Sequence, residues 1–169
     1  MTRQTRLNLG LALLVAALAL IAWLDQRTPT ETPPPITELD PQQVQRIRLE
    51  RLGRPEIILQ RQGAGWRMTA PQNLPADKTQ VEALLAIATA YSLERFSTPP
   101  ERLAQFGLAP PRAVLELDRI RIEVGDTQPV SHQRYLRIGD RIHLINDRFP
   151  HLLEAPPERY LPRATNEIP

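Results

Sequence analysis

Residues 46–70 read RIRLERLGRPEIILQRQGAGWRMTA, and their pattern decides the predicted fold. Apolar residues alternate with polar ones in three short runs, at Ile47 and Leu49, at Ile57 and Leu59, and at Trp66 and Met68. Such alternation, with a period of two residues, is typical of strands that have one buried face. Gly53 separates the first run from the second, and Gly63 and Gly65 separate the second from the third. The stretch therefore predicts three antiparallel strands connected as a β-meander.

The segment after the meander predicts the main helix of the domain. Pro71 and Pro75 lie in a loop that leads to Asp77, a good N-cap residue, with Gln80 at the position of a capping box. Apolar side chains share one helical face at Val81, Leu84, Leu85 and Ala88, and Ile87 and Tyr91 widen it. We expect Trp66 to pack against this face.

A second set of strands is predicted in the following half of the chain. Leu115 and Leu117 begin one strand, and Ile120, Ile122 and Val124 face one side of the next, with Arg121 and Glu123 on the other. Gly125-Asp126 is predicted to turn the chain. A hairpin with a tight turn is predicted at Gly139-Asp140, between Leu136 with Ile138 and Ile142 with Leu144.

Short helices are predicted on either side of these strands. Residues 101–106 resemble a short helix that ends at Gly107, with Leu108 placed for the apolar contact of a Schellman cap. A second short helix is predicted around residues 149–153. The fold class is therefore α+β: antiparallel β-meanders, in one or two sheets, packed with one main helix and short helices.

The N-terminal segment predicts a single transmembrane helix that precedes this domain. Residues 7–24 are almost wholly apolar, and 18 helical residues span about 27 Å, close to the thickness of a bilayer core. Arg3 and Arg6 precede the run, so we expect residues 1–6 to stay cytoplasmic. The alternative is a signal peptide cleaved after Ala17-Leu18-Ala19; either way, the domain is expected outside the cytoplasm.

The rest of the chain divides by its proline content. The predicted segments are a proline-rich tether at 25–38, an extracytoplasmic α+β domain at 39–154 and a proline-rich C-terminal tail at 155–169. We expect the tether to be extended and semi-rigid.

Charge and composition exclude several classes of function. After Arg3 and Arg6 the chain carries as many basic as acidic residues, so the sequence pI of about 9.5 does not indicate nucleic acid binding. The chain has no cysteine, which excludes disulfides, thiol chemistry and a lipid-modified cysteine anchor. The predicted partners are the lipid bilayer, through residues 7–24, and a protein of the membrane or envelope.

The histidines do not form a recognisable site in the sequence. His132, His143 and His151 do not have the regular spacing of metal ligands, and we expect them to face solvent. Ser131 precedes His132 directly, and sequence neighbours cannot form a nucleophile–base pair.

Other polar motifs also favour structural readings. Asp126 and Asp140 follow glycines at predicted turns, where acids bond to the local backbone. Gly63-x-Gly65 lacks the third glycine and the following helix of a dinucleotide site. Trp66 is expected in the core. No catalytic, cofactor-binding or metal-binding residue is therefore predicted, and the protein is not expected to be an enzyme.

The outward-facing arginines are the one candidate surface. Arg119 and Arg121 are predicted on a strand whose other face is strongly apolar, so they could present positive charge to an anionic partner. The alternative is a solvated face on which arginines pair with acids.

An ordered set of motifs resembles the bacterial domain of unknown function 4340 family over residues 39–153. The motifs are Trp66, Pro71, Ala76-Asp77, Val81-x-x-Leu84-Leu85, Phe106-Gly107-Leu108-x-x-Pro111, Leu115-x-Leu117, Ile122-x-Val124-Gly125-Asp126 and Arg134-Tyr135-Leu136. Phe106 stands where a tyrosine is common in the family. The resemblance implies a single-pass protein of the bacterial inner membrane with an extracytoplasmic domain, and no established catalytic residues.

Three functions follow as expectations, in order of preference. The first is a membrane-tethered accessory module that joins an envelope complex; longer relatives look like auxiliary components of ABC transporters, including gliding-motility proteins, and carry an additional domain. The second is an envelope domain that binds a ligand or polymer. The third is an envelope enzyme with an uncharacterised site.

Overall fold

The computed structural model of the chain describes residues 11–20, 33–148 and 150–162. The chain divides into two compact units, Met1–Thr32 and Pro33–Pro169.

In the first unit, residues 11–20 are helical (α1), and their leucine side chains are more than half exposed. Within the described ranges, no helix is long and apolar enough to cross a membrane. The remainder of the predicted span at 7–24 lies outside the described residues, as do the predicted cytoplasmic segment at 1–6 and most of the tether at 25–38.

In the described part of the second unit, nine strands form one antiparallel sheet. They are β1 (Arg46–Arg51), β2 (Arg54–Gln62), β3 (Gly65–Ala70), β4 (Leu74–Pro75), β5 (Glu94–Ser97), β6 (Ala113–Leu117), β7 (Ile120–Thr127), β8 (Gln133–Ile138) and β9 (Arg141–Asn146). Their order in the sheet is β4-β3-β2-β1-β6-β7-β8-β9-β5. The helical elements are α2 (Lys78–Ala88), α3 (Pro150–Leu153) and two 3-10 helices, Pro100–Phe106 and Pro157–Tyr160.

The sheet consists of two meanders that meet at their first strands. β1 pairs with β6, so that Ile47 lies opposite Leu117 and Leu49 lies opposite Leu115. Because directly opposed residues of antiparallel strands share a face, this register carries one apolar face across both meanders. The predicted meander of β1, β2 and β3 is confirmed, and the two predicted sets of strands form one sheet.

The core lies between this apolar face and α2. Asp77 caps the helix, since its side chain accepts a hydrogen bond of 3.1 Å from the Gln80 backbone N–H. The helix buries Val81, Leu84, Leu85, Ile87 and Ala88. Trp66 and Met68 of β3 belong to the same core cluster, which confirms the predicted packing of Trp66.

The helix ends earlier than its apolar pattern suggests. Thr89 is the C-cap residue, and Tyr91 forms a β-bridge with Pro35 while 56% of its surface is exposed. Ile36, within the predicted tether, is buried and donates its backbone N–H to the carbonyl oxygen of Ala90. The folded unit therefore begins before residue 39.

The chain also stays folded after residue 154, where the proline-rich tail was predicted to begin. Ala155, Pro157 and Tyr160 are buried, and the Tyr160 carbonyl accepts the Asp77 backbone N–H at 2.7 Å. This hydrogen bond attaches the C-terminal 3-10 helix to the start of α2.

The predicted turn at Gly125-Asp126 is wrong. β7 continues through both residues to Thr127, with a register shift between Val124 and Thr127. A glycine is required here because the segment around Phe106 approaches the strand closely; a Cβ built on Gly125 would lie 2.2 Å from the Phe106 carbonyl oxygen. Gly125 therefore lies in a bulged strand and not in a turn.

The Phe106-Gly107-Leu108 motif covers the opposite face of the sheet. The predicted helix before it is a 3-10 helix, and Gly107 ends it in the left-handed region at φ 67°. The Leu108 backbone N–H donates to the carbonyl of Leu103 at 3.1 Å, which closes the predicted Schellman-type end. Phe106 contacts the rings of Phe96 and Tyr135, with centroids 5.5 and 4.8 Å away. A second, smaller apolar cluster therefore lies on this face.

Candidate functional site: an arginine-lined cleft

The predicted partner surface is divided between two elements. Arg119 lies in the turn before β7, so the prediction that it shares a strand with Arg121 is wrong. Arg121 does lie on β7, where its Nη1 donates to Glu116 at 2.7 Å and its Nε donates to Glu123 at 3.4 Å. Whether these two arginines bind a partner stays a prediction.

Arg121 belongs to a chain of ion pairs on the sheet face that carries the outward arginines. This ion-pair ladder consists of Glu56, Glu50, Arg48, Glu116, Arg121, Glu123 and Arg137. Each arginine in it contacts two or more carboxylates or shares one with a neighbour, so little unpaired positive charge remains. Exposed pairs of this kind contribute little to stability. The ladder agrees with the alternative interpretation, in which outward-facing arginines pair with acids on a solvated face.

The other predicted positions have local roles in the structure. Asp126 pairs with Arg112, and Asp140 lies exposed in the β8–β9 turn. His132 lies in a loop with φ 52°, and the side chain of His151 is outside the described residues. Among the described residues, no group of three His, Cys, Asp or Glu side chains is placed to hold a metal ion.

His143 is buried, contrary to the solvent-facing position expected for it. Its Nδ1 lies 3.0 Å from the Oγ of Ser92, and both residues are less than a tenth exposed. The Ser92 hydroxyl also reaches the Glu94 carbonyl oxygen at 3.0 Å. When the hydroxyl donates its single hydrogen there, Nδ1–H donates to Ser92 Oγ, the reverse of a nucleophile–base pair. The two residues are 51 positions apart, so no local sequence signal identifies them.

The candidate site with the most convergent charge is a cleft of about 310 Å³ beside the β1–β2 turn. Four arginines and one acidic residue, Glu154, line it with apolar side chains between them. We define the arginine cleft by Arg51, Leu52, Arg54, Arg112, Arg134 and Leu153. A second hollow of about 350 Å³ continues from it past Arg112, Arg134 and Asp126.

The sheet brings these residues together from distant parts of the chain. Arg51 ends β1 opposite Ala113, the first residue of β6, and Ala113 lies opposite Val124 of β7. Arg112 directly precedes β6, and Arg134 of β8 lies opposite Thr127. The side chains therefore converge at one end of neighbouring strands. The site could not be predicted from the sequence because this convergence depends on strand order.

Arg51 forms the floor of the cleft and is only 7% exposed. Its Nη atoms donate to backbone carbonyls, Nη1 to Ala155 and Nη2 to Pro55 at 2.8 Å. Its Nε is buried and has no hydrogen-bond partner among the described residues. Burial lowers the pKa of Arg51, the Tyr160 hydroxyl acts in the opposite direction, and the neighbouring charge of Arg54 lowers it further. An arginine nevertheless remains protonated at neutral pH.

Arg54 lies exposed at the rim, beside this buried charge. Its Nη1 also donates to a backbone carbonyl, that of Glu154. Among the described residues, no carboxylate lies within 4.0 Å of the guanidinium of Arg51 or Arg54. Two neighbouring cations are therefore held by neutral oxygens.

The other two arginines have acidic partners of their own. Arg134 is bonded to Asp147 through both Nε, at 2.9 Å, and Nη2, at 2.8 Å, and both side chains are 8% exposed. Arg112 donates to Asp126, and this bond raises the pKa of Arg112. Its side chain is 65% exposed, so an anion in the cleft can reach it. Glu154 also lines the cleft, but its carboxylate lies more than 4.0 Å from both guanidinium groups, so Arg51 and Arg54 are the arginines of the cleft that form no ion pair with the described residues.

Comparison with known families identifies the chain. The family described as "Domain of unknown function (DUF4340)" matches residues 66–161, which is more than half of the sequence. The chain therefore belongs to this family, as its motifs indicate. A comparison with curated proteins and one with solved structures gave no match. Arg112 and Arg134 lie within the matched residues, and Arg51 and Arg54 precede them.

Proposed function

We propose that this member of the DUF4340 family is a membrane-tethered, extracytoplasmic interaction module that holds a partner protein at the arginine cleft. The tether in this proposal is the apolar segment at residues 7–24, preceded by Arg3 and Arg6. The module then lies outside the cytoplasm, anchored in the bacterial inner membrane with its N-terminus in the cytoplasm.

The observation that supports a partner at the cleft is the uncompensated charge of Arg51 and Arg54. Buried charges in proteins are normally paired, so a buried guanidinium bonded only to neutral carbonyls suits an anionic group from another molecule. Leu52 lies beside them and is 76% exposed. Arginine next to an exposed apolar side chain is typical of the energetically important centre of a protein interface.

The partner that we propose is another protein of the same envelope complex. Components of an ABC transporter are the first candidates, because the motif resemblance points to relatives of that kind. A tethered module steadies such a complex without chemistry of its own, so the proposal assigns no catalytic residue.

The experiment is purification of the full-length protein from the membrane fraction in mild detergent, followed by identification of the proteins that co-purify. Arg54→Glu should reduce recovery of the partner several-fold, more at low salt than at high salt, because it reverses an exposed charge at the rim. Arg141→Glu is the matched control: an exposed arginine at the start of β9, outside the ion pairs of the described residues. Equal recovery with wild type and Arg54→Glu would contradict the proposal.

A second candidate function is binding of a small anionic ligand of the cell envelope. The observation that favours it is the cleft volume of about 310 Å³, which lies at the lower end of small-molecule pockets. A protein partner that is lost with Arg54→Glu favours the first function. A small molecule that is released from the wild-type protein on denaturation, and not from Arg54→Glu, favours the second.

A further inference from the structure

The chemistry of the arginine cleft restricts the group that it can bind. Its rim offers guanidinium N–H donors from Arg54 and Arg112, and its floor adds the positive charge of Arg51, whose Nη atoms already donate to backbone carbonyls. Guanidinium groups carry donors only. Their natural partner is an oxyanion, which a planar guanidinium can bind with two parallel hydrogen bonds. A cationic or neutral ligand would leave the charges of Arg51 and Arg54 as they are.

The buried position of Arg51 is the second observation. Arg51 as a whole is only 7% exposed, its Nε has no hydrogen-bond partner among the described residues, and Arg54 places a second positive charge beside it. These three features raise the free energy of the empty cleft. An anion bound at the rim interacts favourably with both charges at once, and the low-dielectric surroundings of Arg51 strengthen that interaction.

The apolar walls are the third observation. Leu52 is 76% exposed at the rim, whereas Leu153 is buried beside the floor. Inorganic anions would gain nothing from these side chains. A carboxylate on a peptide can place a neighbouring apolar side chain against Leu52, which removes apolar surface from water.

We infer that the arginine cleft binds the side-chain carboxylate of an acidic residue next to an apolar residue in a peptide segment, an inference that rests on the proposed function. Arg54 and Arg112 contact the carboxylate, Arg51 attracts it from the floor, and Leu52 packs against the apolar neighbour. Arg112 keeps its bond to Asp126, and the Glu154 side chain at the rim disfavours a second acidic residue next to the first.

Arg51 also has a structural role, and for that reason the test does not substitute it. Its bonds to the carbonyls of Ala155 and Pro55 attach the C-terminal segment to the sheet, so an Arg51 variant is expected to unfold and would test nothing. The variants are therefore made at the exposed residues Arg54 and Arg112. Substituting either residue leaves the hydrogen bonds of Arg51 in place.

The test measures binding of two blocked peptides to the full-length protein in detergent, by calorimetry or fluorescence anisotropy. The first peptide is N-acetyl-Leu-Glu-Leu-amide, and the matched control carries glutamine in place of glutamate. We expect the glutamate peptide to bind, the glutamine peptide to bind about tenfold or more weakly, and added NaCl to weaken binding of the first peptide only. Arg54→Gln and Arg112→Gln should each weaken it about tenfold, and Arg141→Gln, at an exposed arginine outside the cleft, should leave it unchanged.

Three outcomes would overturn the inference. They are equal binding of the two peptides, no binding of either, and binding of the glutamate peptide that Arg54→Gln leaves unchanged. A co-purifying partner that is lost with Arg54→Glu while the glutamate peptide fails to bind would leave the docking function standing and refute carboxylate recognition. If the glutamate peptide binds but Arg54→Glu leaves the set of co-purifying proteins unchanged, carboxylate recognition is supported and the docking function is refuted.

Discussion

Gly125 shows how one residue determines the local structure of the sheet. A Cβ at this position would lie 2.2 Å from the Phe106 carbonyl oxygen and 3.0 Å from the Cγ of Leu108. Backbone atoms cannot move away as a flexible side chain can. The absence of a side chain at residue 125 is therefore what lets the Phe106-Gly107-Leu108 segment lie against β7.

We predict that Gly125→Ala destabilises the second unit by about 1–3 kcal/mol, the usual cost of overpacking. The measurement is urea unfolding of a chain that begins at Pro33. Gly65→Ala is the matched control, because a Cβ there meets only the Gln62 carbonyl oxygen at 3.9 Å. Equal free energies of unfolding for the two variants would show that the close approach at Gly125 is absent.

His143 gives a second prediction at this scale. Burial lowers its pKa, and the nearby charges of Arg95 and Arg141 lower it further. The pKa in the folded chain thus lies below the unfolded value of about 6.5, and the unfolded chain takes up the proton first as pH falls. The contribution of His143 to stability is complete above about pH 6.5 and is lost on acidification until the pH passes below the folded pKa.

The check compares the free energy of unfolding of wild type and His143→Gln between pH 7.5 and pH 5. The variant should lose less stability over this range than wild type does. His132→Gln, which removes an exposed histidine from a loop, is the matched control. If His143→Gln leaves the pH dependence of the free energy of unfolding unchanged, the lowered pKa of His143 is contradicted.

Residue identity alone predicted some of these roles and missed others. Asp77 and Gly107 were predicted correctly because a helix cap depends on neighbours within a few positions. Gly125 was assigned to a turn because glycine permits both a turn and a close approach, and the sequence does not distinguish them. The burial of His143 depends on β5 and β9, which pair from distant parts of the chain.

At the scale of elements, α2 and β3 hold the centre of the core. Leu84 is fully buried in α2, and Trp66 of β3 is 7% exposed, with the guanidinium of Arg61 4.6 Å from the centroid of its ring. The apolar face of α2 covers the first meander, so the two elements stabilise each other.

We predict that Leu84→Ala costs about 2–5 kcal/mol and Trp66→Ala about 3–5 kcal/mol in the free energy of unfolding. Chemical denaturation of the chain from Pro33 measures both. Glu82→Ala lies on the exposed side of the same helix, where its ion pair with Lys78 is 3.6 Å long, and it should cost less than about 1 kcal/mol. Near-neutral effects at both core positions would place the core elsewhere.

Elements with a clear period were predicted well, and those without one were not. β1, β2, β3 and α2 carry strong alternation or helical spacing over six or more residues. β4 has two residues and β5 has four, too few for a pattern, and their sequences contain a proline and mostly polar side chains. These edge strands form because a neighbouring strand provides backbone partners.

At the scale of the whole molecule, the pairing of β1 with β6 is the decisive contact. It joins two meanders that the sequence predicts separately, and it places Arg51 near Arg112 and Arg134. Periodicity identifies which face of a strand is buried and does not identify the neighbouring strand. The arginine cleft could therefore not be predicted from the sequence, although each arginine in it is visible there.

The most direct test of the docking proposal places a photo-crosslinking amino acid at Leu52 in the full-length protein and irradiates intact cells. Leu52 is the exposed apolar residue of the arginine cleft, and the same amino acid at Arg119, at the opposite end of β6, is the control. We predict one covalent adduct with an envelope protein from position 52, abolished by Arg54→Glu, and none from position 119. An adduct from position 119 with none from position 52 would contradict the account and return the partner surface to Arg119 and Arg121.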